Sequence, residues 1–141
     1  MQTRRILLVD DDEVIRELLA TTLGPEQFLI SMAHDGAEAL QIAAQERPDM
    51  IFLDVAMPDM DGIEVCRALR RDERTRGTVI IMLTALSSEL DQRRAEQAGA
   101  DAYVMKPFSP LRLRRLVDDL TPRQPATSAD AGGSGSPGST I

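Results

Sequence analysis

The sequence predicts an α/β domain built on a doubly wound parallel sheet. Three features predict it. Five short apolar runs alternate with five amphipathic stretches, the central runs are continuously apolar, and polar residues gather where the runs end. Strand then helix, repeated five times, implies parallel strands joined by right-handed crossovers, with helices on both faces. Continuous apolar runs fit strands covered on both sides.

The elements follow in order. Ile6 to Val9 is the first strand, and Val14, Ile15, Leu18, Leu19 and Leu23 are expected on one face of the helix that Gly24-Pro25 ends. Gln27 to Ala33 is the second strand; Asp35-Gly36 turns into an alanine-rich helix carrying Leu40, Ala43 and Ala44. Pro48-Asp49 introduces the third strand, Met50 to Asp54, and a loop with Pro58 and Gly62 leads to a helix burying Ile63, Cys66 and Leu69. Thr78 to Leu83 is the fourth strand. Its helix, about Ser87 to Ala98, has a thin apolar stripe of Leu90, Ala95 and Ala98, which suits a weakly held element. Asp101 to Met105 is the fifth strand. The last helix starts at Ser109-Pro110, Ser as N-cap and Pro at the first helical position, and buries Leu113, Leu116, Val117 and Leu120. Residues 1–120 are thus predicted as one domain. The segment 121–141, rich in Pro, Gly and Ser, is expected to be a flexible tail or linker.

Composition narrows the function. No apolar run approaches the roughly 20 residues of a membrane span, and the N-terminus lacks a secretory apolar stretch, so a cytoplasmic protein without membrane contact is expected. Cys66 is the sole cysteine, which excludes an intrachain disulfide and disfavours a Cys-based zinc site. The net charge of -7 at pH 7 predicts no direct nucleic-acid binding by this chain. Fifteen arginines stand beside a single lysine, Lys106, which points to a site needing a compact point charge rather than a planar fork.

In an open parallel sheet, ligands bind outside the C-terminal ends of the strands. Asp10, Asp11 and Asp12 follow the first strand, Asp54 ends the third, Thr84 follows the fourth and Lys106 the fifth, so all emerge on one edge. If strands one and three are neighbours, their carboxylates lie roughly 5 to 7 Å apart. Each residue has a bland use: Asp and Thr cap helices and Lys is a common surface charge. Together they are harder to dismiss, because crowded carboxylates repel one another unless a cation joins them. Mg²⁺ suits such oxygen ligands. Asp11 and Asp54 are candidates for direct ligands, Asp10 for a ligand through water, and the Ala56 backbone carbonyl for a further one. Asp54 then becomes a carboxylate nucleophile for a phosphoryl group, with Lys106 and the Thr84 hydroxyl contacting its oxygens.

The strings Leu8-Val9-Asp10-Asp11-Asp12-Glu13, Leu53-Asp54-Val55-Ala56-Met57-Pro58-Asp59-Met60-Asp61-Gly62, Leu83-Thr84-Ala85 and Met105-Lys106-Pro107-Phe108 resemble the motif set of response-regulator receiver domains, over about residues 4 to 120. The resemblance implies a flavodoxin-like (βα)5 fold with strand order 2-1-3-4-5 in a single domain. It implies a two-component signalling switch rather than an enzyme with a turnover substrate. Asp54 would be phosphorylated by a sensor histidine kinase or a small phosphodonor, with Mg²⁺ at Asp10, Asp11 and Asp54 and a cis peptide before Pro107. It further implies coupling of Thr84 to Tyr103, reshaping the face of helix four, strand five and helix five toward a downstream effector or output domain. Mixed charges on helices four and five fit a solvated face as well as a phosphorylation-dependent homodimer.

Ala56 stands two residues after the acceptor and Leu86 two after Thr84, so neither position supplies an acid or base, and slow loss of the phosphoryl group is expected. His34, the only histidine, sits in an exposed turn and receives no role. Other readings are a small phosphatase or flavodoxin-like oxidoreductase, poorly supported without a glycine-rich phosphate loop or tryptophan; a receiver cut from a larger regulator; and an inert receiver-like scaffold, against which the complete acid, Thr and Lys set argues.

Overall fold

A computed structural model describes residues 4–85 and 89–120 of the chain. The elements run β1 (Arg4–Val9), α1 (Glu13–Leu23), β2 (Phe28–Ala33), α2 (Gly36–Glu46), β3 (Met50–Asp54), α3 (Gly62–Arg71), β4 (Val79–Thr84), α4 (Glu89–Ala98), β5 (Ala102–Met105) and α5 (Pro110–Leu120). All strand pairs are parallel and the order is β2-β1-β3-β4-β5. The predicted fold class and strand order both hold.

Alternation along the strands builds two cores from one sheet. Leu7, Val9, Ile51, Leu53, Ile80 and Met82 face α2, α3 and α4, meeting Ala39, Ala43, Ile63, Cys66, Leu69 and Ala98. Ile6, Leu8, Met50, Phe52, Ile81 and Leu83 point the other way onto Leu19 and Leu23 of α1 and Leu113 and Val117 of α5. Successive residues of an extended strand point to opposite faces, so a strand covered on both sides must be apolar at every position. Among the described residues, no helix is long and apolar enough to cross a membrane.

The structure corrects some local expectations. On α1, Leu19 and Leu23 are buried and Ile15 is partly so, but Val14 and Leu18 are exposed, by 70% and 45%. Periodicity marks apolar residues without saying which neighbour covers them, and α1 turns its Ile15–Leu19–Leu23 row, with Ala20 beside it, to the sheet. Leu116 and Leu120 are half-buried at the margin of the core rather than within it. α2, whose end the sequence left open, stops on Arg47 in the left-handed region, φ 49°, just before Pro48. Ser109 caps α5 as expected, accepting from the Arg112 N–H. The expected tail 121–141, Ser87 at the expected start of helix four, and Leu86 lie outside the described residues, as does the Leu90 side chain.

Candidate phosphoacceptor and metal site

The parallel topology brings the C-terminal ends of β1, β3, β4 and β5 to one edge of the sheet. There, one carboxylate oxygen each of Asp10, Asp11 and Asp54 lies within 4.8 Å of the others. This is slightly tighter than the roughly 5 to 7 Å expected for carboxylates at the ends of neighbouring strands. Asp10 and Asp54 are buried and Asp11 is exposed. The Lys106 ammonium enters from the β5 side, 2.8 Å from Asp10 Oδ2 and 3.4 Å from Asp54 Oδ1. Thr84 is buried at the end of β4, and its carbonyl accepts the Lys106 backbone N–H at 2.7 Å. The Lys106–Pro107 peptide is cis.

The three consecutive aspartates divide the work. Asp12 caps α1, its side chain accepting the Val14 N–H at 2.9 Å. Asp10 is held at every polar group: its N–H donates to Ala33 O, its carbonyl accepts from Arg16 at 2.6 Å, Oδ1 accepts from the Asp12 N–H, and Oδ2 faces Lys106. Asp11, between them, has no such partner among the described residues. Asp54 takes one weak backbone bond, from the Ala56 N–H at 3.3 Å.

Burial pushes the Asp54 carboxyl up to about 6, with the negative charge of Asp10 adding to it and Lys106 opposing it. Burial alone would lower the Lys106 pKa, but the hydrogen bond to Asp10 and the charges of both acids outweigh it, and the value is raised. Among the described residues Lys106 alone pairs with these carboxylates, and it reaches two of the three. The remaining negative charge, in an all-oxygen donor set with Asp11 free, fits a hard divalent cation.

Other expected residues stand as follows. Ala56 is exposed in the loop after β3. Tyr103 is half-buried, opposite Met82 in the sheet, and with Met105, Phe108 and Arg112 lines a groove of about 500 Å³. His34 is exposed and bonded to Glu38. Several residues that organise the site were not foreseen. Gly62 passes so close to the acceptor strand that a Cβ there would lie 2.0 Å from the Asp54 carbonyl oxygen. Asp61 caps α3 and pairs with Arg94 of α4 at 2.9 Å. Asp59 binds two backbone N–H groups at the start of α2. An aspartate before Gly62 is a legible cap signal; the partners of Asp59, more than twenty residues away, leave no local trace.

The chain matches the response regulator receiver domain family over residues 6–118. It is 44% identical over 124 residues to the DNA-binding response regulator MtrA of Mycolicibacterium smegmatis, covering 82% of this chain and 53% of that protein. The chain therefore spans about half the length of that curated relative. The chemotaxis protein CheY4 of Vibrio cholerae superposes with a TM-score of 0.80 at 34% identity, covering 84% of this chain and 99% of that one. The receiver domain of a sensor histidine kinase from Pseudomonas aeruginosa, solved with a magnesium ion coordinated in its active-site cleft, gives 0.76 at 31% identity, covering 84% and 97%.

These relatives overturn the expectation, drawn from net charge, of no direct nucleic-acid binding by this chain: the similar full-length regulators are named as DNA-binding. The physical fault is one of range. Screening limits a surface charge to about 8 Å at physiological salt. An acidic receiver half therefore says nothing about the surface that reads DNA elsewhere in such a protein.

Proposed function

The chain belongs to the response regulator receiver domain family, and from that premise we propose that it switches when Asp54 takes a phosphoryl group from the phosphohistidine of a sensor histidine kinase, or from a small phosphodonor, with Mg²⁺ bound. Phosphorylation-dependent signalling in a two-component system is the family's role. The observation that carries the finer reading is the convergence of Asp10, Asp11 and Asp54 within 4.8 Å, with Lys106 beside two of them.

Asp11, Asp54 and the Ala56 carbonyl would hold the ion, with Asp10 acting through water. When bound, Mg²⁺ neutralises the acids and draws charge from the phosphoryl oxygens. An ionised Asp54 oxygen attacks phosphorus; the bond to the donor nitrogen breaks and its electron pair stays on the imidazole. Lys106 pairs with the transferred oxygens, and the Thr84 hydroxyl donates to one of them. Neither Ala56 nor Leu86 can protonate a leaving group or orient water. Good leaving groups are therefore required, and the phosphoryl group is retained for long periods.

The signal leaves through Thr84 and Tyr103 to the face of α4, β5 and α5, where it controls a partner or a second copy of the chain. The half-buried Tyr103 beside an open groove supports this route. The relatives named as DNA-binding regulators favour control of DNA binding as the output served. A kinase phosphohistidine as donor favours a cytoplasmic switch, with residues 121–141 serving as a tail or linker.

Incubation with a small phosphodonor, read by intact mass, tests the core of the proposal. Wild type should gain one phosphoryl group only with Mg²⁺ present, and Asp54→Asn none. Equal labelling of the two proteins removes Asp54 from its role.

A further inference from the structure

Loop 55–61, between the acceptor strand and α3, closes on itself through the Gly62 N–H, which donates to the Val55 carbonyl at 2.8 Å. It is then tied down on both flanks by its own two carboxylates. Asp61 accepts from the Ile63 N–H and from Arg94 of α4, each at 2.9 Å. Asp59 reaches the opposite way: Oδ1 accepts the Gly36 N–H at 2.9 Å and Oδ2 the Ala37 N–H at 3.2 Å.

Those donors belong to the first turn of α2, whose N–H groups lack partners within the helix. The local cap, Asp35, serves only the Glu38 N–H, at 2.8 Å. The helix start thus carries two caps, one from its own sequence and one supplied by the acceptor loop. The Gly36 bond, chiefly, holds the Asp59 carboxyl below the usual carboxylate range. Packing reinforces the attachment, since a Cβ on Gly36 would lie 2.9 Å from both Cβ and Sδ of Met60. A local cap already suffices to start a helix, so the second one acts mainly on the loop. That loop carries Ala56, whose N–H donates to Asp54 Oδ1.

We propose that Asp59 is a positioning residue for the divalent-cation site: by anchoring loop 55–61 on the N-terminus of α2, it holds the Ala56 backbone in register with Asp54. The inference rests on the reading of the acid cluster as a Mg²⁺ site. Residues that orient metal ligands from behind commonly contribute about 10- to 100-fold in affinity.

The test is calorimetric titration of the full chain with Mg²⁺ alone, beside thermal unfolding without metal, for wild type, Asp59→Ala, Asp59→Asn and Asp35→Ala. Asp59→Ala should bind Mg²⁺ about 10-fold more weakly. Asp59→Asn should fall between, because its amide oxygen keeps one acceptor, and it decides the question if the alanine variant does not fold. Asp35→Ala removes a cap from the same helix without touching the loop; it should lower the melting temperature and leave Mg²⁺ affinity at the wild-type value. If the Asp59 variants lose stability yet bind Mg²⁺ like wild type, Asp59 is only a cap and the proposal is overturned. Absence of Mg²⁺ binding by wild type would instead overturn the underlying reading of the acid cluster.

Discussion

The two edges of the sheet hold polar groups on opposite terms. At the N-terminal edge each has a complement. Thr75 and Thr78 donate to the carbonyls of Leu69 and Pro48, Asp49 accepts the Arg5 N–H, and Asp101 accepts the Ile80 N–H. Arg70 reaches the carbonyls of Gly99, Arg76 and Thr78 and the Asp101 carboxylate, all at 2.8 Å or less. At the C-terminal edge the acids are buried, unlike the exposed Asp49 and Asp101, and they oppose one another: Asp54 sits beside Asp10, and one ammonium is shared between them. Satisfied polar groups lock strand ends, whereas crowded like charges store a repulsion that a ligand can release. Burial of the acids and the sign of their neighbours together distinguish the two edges.

Cutting the central cation out of each edge should give the largest effects and sharpen the contrast. Lys106→Met leaves Asp10 buried without its ammonium, and about 3–5 kcal/mol of stability should be lost in metal-free buffer. Arg70→Met strands three carbonyls and a carboxylate, and about 2–4 kcal/mol should be lost. Mg²⁺ should recover part of the first loss and none of the second. Urea unfolding with and without the ion measures both; equal recovery would erase the distinction between the edges.

A smaller effect of opposite sign comes from Asp54. Its carboxyl, raised from 3.8 to about 6, binds a proton more tightly folded than unfolded. The stabilising contribution of that proton is complete below the unfolded value and is lost as pH rises through about 6. Asp54→Asn, which never ionises, should therefore be more stable than metal-free wild type by about 1–3 kcal/mol near pH 8, with the gap closing by about pH 4. Thermal melts across that range check it. Saturating Mg²⁺ should reverse the order, since the ion binds the folded wild type preferentially.

The same contrast explains what could be read from the chain. The site edge was legible because its residue types are costly to place together: three aspartates, Asp54, Thr84 and the only lysine each follow an apolar run, and a parallel sheet delivers every run's end to one side. The fold was legible for a related reason, since two-sided burial writes apolar residues at every strand position. The N-terminal edge was not legible. Arg70 binds mostly backbone carbonyls, which no side-chain pattern announces, and Asp59 finds its partners through tertiary approach. The exposed Val14 and Leu18 mark the same limit, because apolar spacing specifies a stripe while neighbouring elements decide how much of it is covered.

Arg94 gives the smallest predicted effect and probes the border between the two kinds of polar group. Its partner Asp61 belongs to the acceptor loop, yet the pair is complementary, 2.9 Å apart and about 40% exposed on each side. Exposed pairs contribute at most about 1 kcal/mol, so Arg94→Ala should shift global stability by less than that. Asp61 keeps its bond to the Ile63 N–H, so the α3 cap should survive. The loop loses only its attachment to α4, while Asp59 still holds it to α2. Hydrogen exchange should therefore quicken in α4 and remain unchanged at Gly36 and Ala37. Faster exchange at those two amides would mean that the two flanks of the loop are not independent, and that the complementary and the crowded groups form one cooperative unit.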